Sequence, residues 1–361
     1  STGAYNVTND ESNLEVRVDS NDNIIVLHKI VGVTYASKIA LHSRDPDGND
    51  NWEKLYSDTS GDEAYNTNGL AIDPTNDNIT VLTDYGAQAF QAFQVNASAG
   101  ALQWDEHWAM VNAGTTGFAT RWKGLVSDSS GNLYGGGKGD VGGFQLGPSW
   151  VKISSSGVDL GFKRTHFDNI NAQNIAIDSN GNFHIVGWNE YADVNKKYGT
   201  YNKYNSSGVF QYARRVQGTA LSASSHCQFY GICIDDDDNV ILAGETYYSG
   251  NRFARVTKFN SSGTHQWTND TQATAATESF LTFRYTAVAA DSDGNIFATG
   301  EKHSAASARN GVPIAKYSPS GTLEYCNQFR HTTNVGVAAL GQAITTDSNK
   351  QPILIGQYRY G

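Results

Sequence analysis

The sequence predicts an all-β chain: a β-propeller of seven four-stranded antiparallel blades, the last incomplete or closed by the N-terminal strand. Two repeated signals carry that expectation. An aspartate closes a short apolar alternation at Asp19, Asp73, Asp128, Asp178, Asp235, Asp291 and Asp347, at spacings of 54, 55, 50, 57, 56 and 56 residues. Four or five residues later an Asn or Gln opens a second alternation. The other signal is a further motif between anchors, such as NKYNSSGVFQY (202–212) or TKFNSSGTHQW (257–267). A fixed period of strand-like units marks sheets that bury their faces only against neighbouring units.

Each element follows from local pattern. NIAIDSNGNFHIVG (174–187), GICIDDDDNVILAG (231–244), AVAADSDGNIFATG (287–300) and AITTDSNKQPILIG (343–356) align without a gap. Alternating residues run up to the aspartate, a polar turn reverses the chain, and a second alternation runs back, which is a hairpin. Gly137, Gly187, Gly244, Gly300 and Gly356 stand nine residues after the anchors. They are expected where a strand ends and needs permissive backbone angles; His28 and Leu82 replace them in the first two repeats. The second motif is another hairpin. An aromatic follows its turn glycine by four residues at Trp52, Trp104, Tyr212, Trp267 and Tyr325, with Phe162 one later in the third repeat. Two hairpins per repeat make a four-stranded blade, and the repeated aromatic is expected to pack between adjacent blades.

Residues 347–361 supply only a first hairpin, so seven first halves face six second halves. Closure is expected either from the N-terminal AYNVTN segment or from sequence downstream. An open edge would invite pairing with another chain.

Composition suits one turn-rich β domain over 1–361, because a repeat array grows by adding neighbours. The chain has 37 Gly, 6 Pro and 17% charged residues. No stretch approaches the roughly 18 apolar residues of a membrane-spanning helix, so no membrane insertion is expected. The net charge is −10 and the 26 Lys and Arg are scattered, which argues against nucleic acid, whose phosphates need clustered cations. Lys152, Lys203, Lys258 and Lys316 recur five residues before a turn glycine, a spacing that points to a structural role in each repeat. Cys227, Cys233 and Cys326 form no disulfide framework, and Cys233 reads as a small buried hydrophobe; a Cys227–Cys326 bridge stays open. The STGAY start has neither Met nor a signal-peptide core, and the chain is expected to be a processed product or a piece of a longer one.

Chemistry-bearing motifs are weak. The run Asp235–Asp238 has carboxylates a hard cation could use, yet it occupies the turn that reads DSNGN elsewhere. DPDGNDNWE (45–53) has its glycine at loop position four and Tyr56 at position twelve, where a calcium-binding EF-hand needs glycine at about position 6 and glutamate at about position 12. GGGKGDVGG (135–143) lacks phosphate-loop spacing and a following helix. The nine histidines form no zinc pattern, and no nucleophile elbow is present. No catalytic residue, metal or cofactor is expected. The sequons at Asn6, Asn78, Asn96, Asn205, Asn260 and Asn269 arise readily in a chain rich in Asn, Ser and Thr.

DSNGNFHIVG with NKYNSSGVFQY, and DSDGNIFATG with AKYSPSGTLEY, resemble the SBBP-type β-propeller repeat, above all versions in virion structural proteins of marine cyanobacterial phages. The resemblance covers nearly the whole chain. It implies a non-enzymatic structural or adhesive module, such as a phage tail or appendage protein, in contact with other virion or surface proteins or with host glycans. Its place would be the virion, or an extracellular or cell surface. A carbohydrate-binding propeller and a propeller enzyme are the alternative readings.

Within a blade, the links from strand two to three and between blades read as long and variable, whereas the other turns are short. Binding residues concentrate on such loops. Trp108, Trp122, Trp188, Tyr191, Tyr247, Tyr248, Arg252 and Tyr285 lie there and form the expected contact surface, since Trp, Tyr and Arg dominate interface energetics.

Overall fold

The computed structural model describes residues 11–30, 38–56, 67–85, 89–109, 118–141, 144–164, 170–191, 196–217, 226–248, 251–271, 280–304, 311–329 and 338–359. The anchor aspartates act as their spacing implies. Asp178 Oδ1 accepts the backbone amides of Asn180 at 3.1 Å and Asn182 at 2.8 Å, and Oδ2 accepts the Asn182 side-chain amide at 2.9 Å. Asp19, Asp128, Asp235 and Asp291 repeat the pattern. Each bond satisfies an amide that the reversing chain would otherwise leave unpaired. The third residue after the anchor adopts positive φ in every anchor turn but that of Asp73, where the fourth, Asp77, does so at 59°. Gly181 does so at 74°, while Asp238 at 60° and Lys350 at 64° do so without glycine.

The first sheet comprises Glu11–Val18, Ile24–Ile30, Lys38–Arg44 and Asp50–Tyr56 in sequential antiparallel order. Four more four-stranded meanders follow over 67–109, 118–164, 170–216 and 226–271. In the sixth, Phe280–Ala290, Ile296–Ser304, Val312–Tyr317 and Leu323–Phe329 pair in order. The seventh repeat supplies only a hairpin, Ala338–Thr346 with Pro352–Arg359, joined to the sixth sheet through Glu301 and Leu340.

The expected seven blades are therefore six among the described residues. Anchors count first hairpins, and a lone hairpin has too little area to stand as a sheet. Glu11–Val18 pairs with Ile24–Ile30 in the first sheet; the AYNVTN segment proposed to close the last blade lies outside the described residues.

Packing divides the chain into two compact units, 1–175 and 176–361. Core in each sits between successive sheets. In the first unit Ile25, Leu27 and Leu41 meet Leu70, Val81 and Phe93, and Leu82 and Phe90 meet Trp122 and Leu125. In the second, Val186 and Tyr201 meet Phe229 and Leu242, Ile241 and Val256 meet Phe283 and Ile296, and Ile344 of the last hairpin packs on Phe297. Within each unit successive first strands lie side by side, while the fourth strand of a sheet is mostly exposed.

The repeated aromatics lock neighbouring sheets, as their spacing predicted. Trp52 Nε1 donates to the Ala97 carbonyl at 2.8 Å, Trp104 to Ser155 at 3.1 Å and Trp267 to Pro319 at 3.1 Å. In each case the ring covers the next sheet's turn glycine, Gly100, Gly157 or Gly321. Tyr212 covers Gly263 in the same way. The recurring lysines are structural too: Lys203 reaches Asp178 at 2.9 Å, Lys258 reaches Asp235 at 2.8 Å and Lys316 reaches Glu324 at 3.0 Å. All three cysteines are free thiols, so no Cys227–Cys326 bridge forms.

The first sheet carries a pH-sensitive pair. His28 and His42 stack with ring centroids 4.7 Å apart, and both are buried. Burial, then repulsion by His42, pushes His28 down to about 4; burial also lowers His42, against the pull of Glu53. The unfolded chain thus takes up protons first as pH falls below the free imidazole value. Stability is full above about pH 6.5 and declines towards pH 4, by about 2 kcal/mol for His28 after allowance for screening. Denaturant melts at pH 7 and pH 4.5 should show the loss in the native chain and a smaller one in His28→Gln. Equal losses in the two proteins would show that His28 does not titrate this way.

Candidate functional site

The site is built on a strand irregularity in the second unit. Along His226–Ile234 the ladder to Val240–Tyr248 runs from Phe229 opposite Gly244 directly to Gly231 opposite Ala243, leaving Tyr230 as an extra residue. Such a bulge re-aims the chain locally. Gly244 is what permits it: a Cβ there would overlap the Gln228 carbonyl oxygen. Gly300 and Gly356 likewise leave no room for a Cβ against the Arg284 and Leu340 carbonyls, beside bulges at Thr286 and Gln342. These glycines lie within strands rather than at strand ends, so the reason for them is backbone approach and not permissive φ. Gly244→Ala is expected to cost about 2 kcal/mol as an overpacking change against backbone. Thermal melts would check this, and an unchanged midpoint would sink it.

The bulge sets Tyr230 in a polar network. Its hydroxyl lies 2.7 Å from Gln228 Oε1 and 3.0 Å from Glu245 Oε1. Arg284 stacks over its ring at 5.1 Å and pairs with Glu301 at 3.2 Å. Trp188 meets Tyr230 edge-on at 5.4 Å, and the Lys197 ammonium lies 5.8 Å above the Trp188 ring. Beside this network opens a cleft of about 340 Å³ lined by Lys197, His226, Gln228, Glu245, Tyr247 and Arg252. Arg252 reaches the buried Glu245 carboxylate at 3.2 Å, and His226 stacks on Tyr247 at 5.5 Å. Burial, together with Lys197 and Arg252, lowers the His226 pKa against the pull of Glu245. Tyr230 is pushed above its ordinary value by burial and by Glu245.

Of the residues expected to form a contact surface, Tyr247 and Arg252 line this cleft and Trp188 stands against Tyr230. Two belong elsewhere. Trp122 and Tyr285 are 0% exposed core residues on strands Phe118–Ser127 and Phe280–Ala290 and present no surface to a partner. Trp108, half-buried, stacks on Phe90 at 5.0 Å in the first unit. Tyr191 and Tyr248 end their strands, and their side chains lie outside the described residues. The segments read as long loops are largely strand: Tyr191 pairs with Lys196 and Tyr248 with Asn251. Lys197, His226, Gln228, Tyr230 and Glu245 were not anticipated. One sequence signal did point to Tyr230, because a polar residue stands five before six of the seven anchors, at Asn68, Lys123, Gln173, Thr286 and Gln342 besides an aromatic hydroxyl here.

Two of the four carboxylates in the acidic run are used by the fold. Asp235 pairs with Lys258, and Asp238 accepts the Ser179 amide at 2.8 Å and hydroxyl at 2.6 Å. Asp45 holds Asn49 in its own turn. No cluster of metal-ligating side chains occurs among the described residues.

No protein-family model matches the chain, and no curated protein matches it in sequence. Solved structures do match in fold. A chain of the mitotic checkpoint complex crystal structure aligns over 96% of this chain and 86% of its own, with TM-score 0.52 and 11% identity. The β-propeller domain of the Trilobed protease from Pyrococcus furiosus aligns over 97% and 94%, with TM-score 0.51 and 7% identity. Raptor from Chaetomium thermophilum aligns over 96% of this chain but 28% of its own, with TM-score 0.57 and 7% identity. At these identities the likeness carries the fold alone: a β-propeller with four-stranded antiparallel blades.

Proposed function

We propose that the chain is a non-enzymatic structural and adhesive propeller module that attaches to its partner through the Tyr247–Arg252 cleft, carried on a phage virion as a tail or appendage component. The cleft carries the attachment half of this reading. It gathers exposed Arg252, half-buried Tyr247 and a polar floor on rigid strands, the combination that makes an interface strong. Its chemistry suits holding rather than turnover. The Glu245 carboxylate already accepts from Tyr230 and Arg252, and a phenol raised by burial is the reverse of an activated nucleophile.

The virion placement rests on the SBBP-type repeat motifs. Mass spectrometry of purified particles should find the chain, and its absence from every virion and surface fraction would end that placement. The cleft is tested separately. Alanine at Trp188, Tyr247 and Arg252 together should abolish attachment to host cells with little change in melting temperature; undiminished attachment would refute it.

A further inference from the structure

We infer that the free edge of the last hairpin, strand Pro352–Arg359, docks a β-hairpin of another polypeptide, whose inner strand reads apolar residue, any residue, lysine, large apolar residue. The site is separate from the cleft and goes beyond the attachment reading. In the other six sheets the second strand is paired on both sides. Among the described residues Pro352–Arg359 pairs only with Ala338–Thr346. An unpaired strand presents a row of backbone donors and acceptors that another chain can match. Its side chains are under-covered as well. Leu354 and Ile355 are half-buried, whereas their equivalents Ile185 and Val186, Leu242 and Ala243, and Ala298 and Thr299 are 0% exposed. Asp347 is half-buried where Asp19, Asp73, Asp178, Asp235 and Asp291 are buried. Among the described residues its carboxylate bonds only the Gln351 amide, through Oδ1.

The other sheets define what this edge lacks. Their third strands set Lys152, Lys203, Lys258 and Lys316 opposite Tyr134, His184, Ile241 and Phe297, each six residues after its anchor, the place Ile353 holds in the last hairpin. Two residues before the lysine stand Trp150, Tyr201, Val256 and Ile314, opposite the place of Ile355; one after it stand Ile153, Tyr204, Phe259 and Tyr317, opposite the place of Pro352. Lys203 and Lys258 reach the carboxylates of their own anchors. A lysine opposite Ile353 would give Asp347 the same partner, and the apolar residue two before it would cover Ile355. The first ten residues of the chain contain no lysine, so they do not fit this pattern.

The full chain should be titrated, by fluorescence anisotropy, with a labelled synthetic peptide of residues 251–271, which carries Val256, Thr257, Lys258 and Phe259 with their own turn and fourth strand. Saturable binding is expected, with new hydrogen-exchange protection in the outward amides of 352–359. A Lys258→Gln peptide should bind the native chain roughly tenfold more weakly, about one charge-assisted bond. Asp347→Asn keeps the turn acceptor and removes the charge; it should weaken the unchanged peptide by a similar factor and leave the Lys258→Gln peptide nearly unaffected. Circular dichroism melts would confirm that the variant folds. No saturable binding up to about 1 mM, protection elsewhere in the chain instead of 352–359, or equal affinity of the two peptides for the native chain would each overturn the inference. So would binding seen only after removal of residues 1–10, because the chain's own start would then hold the edge.

Discussion

Arg255→Leu is expected to destabilise the second unit by about 4 kcal/mol, because it breaks a buried ion pair from one side. Arg255 is 1% exposed on strand Asn251–Phe259. Its guanidinium grips Asp270 with two bonds, Nε to Oδ1 at 2.6 Å and NH2 to Oδ2 at 2.7 Å. NH1 donates to the Gln217 carbonyl at 2.8 Å and approaches Cys227 Sγ at 3.5 Å. Burial works against the charged guanidinium, yet Asp270 outweighs it and the pKa is raised. Leucine would leave the Asp270 carboxylate and a backbone carbonyl without their donor. Lysine keeps the charge but cannot reproduce the two-point grip, so Arg255→Lys should fall between. Denaturant unfolding of the full chain decides it; a loss under about 1 kcal/mol in Arg255→Leu would mean that the pair contributes little beyond its own desolvation.

Asp178→Ala is expected to cost about 3 kcal/mol, well above an ordinary turn bond. The anchor's side chain is 2% exposed and accepts the Lys203 ammonium at 2.9 Å in addition to its turn amides. Burial raises its pKa, and His184, Lys203 and Asn182 together reverse this and hold it well below the usual carboxylate range. With the folded value depressed, this stabilisation is present above the free aspartate pKa near 4 and is lost as pH falls further. The Asp178→Ala penalty should therefore shrink in acid. A penalty unchanged between pH 7 and pH 3 would show that the carboxylate charge is not what holds the turn.

Much of the fold was legible because it depends on local chemistry. An aspartate that bonds its own turn and an aromatic four residues after the turn glycine each leave a residue type at a fixed offset, and the structure uses both as expected; the glycines nine residues after the anchors also recur at a fixed offset, but for close backbone approach rather than permissive φ. Counting blades was less secure. A periodic anchor reports hairpins, and whether the last hairpin makes a sheet depends on strands that the period does not contain.

The site was harder to read for a different reason. Lys197, Gln228 and Arg284 come from three successive sheets, so nothing in their sequence spacing brings them together. Trp122 and Tyr285 misled because an aromatic beside a variable segment looks the same whether the strand stops or runs on. Here the strands run on, and alternation turns those two rings into the core. Trp188 and Arg252 stand on such strand extensions too, and fall on the accessible side.

The aromatic locks also govern how damage spreads. Trp52 donates to the turn of the next sheet, and Trp104 and Trp267 do the same in turn. Coupling of this nearest-neighbour kind makes stability a sum of unit and interface contributions, much like a one-dimensional chain of linked spins. A defect in one sheet is then felt strongly by the sheets beside it and weakly beyond them. Residues at the cleft mouth, such as Arg252, can therefore vary at a stability cost confined to one or two sheets, while the rest of the scaffold stays the same.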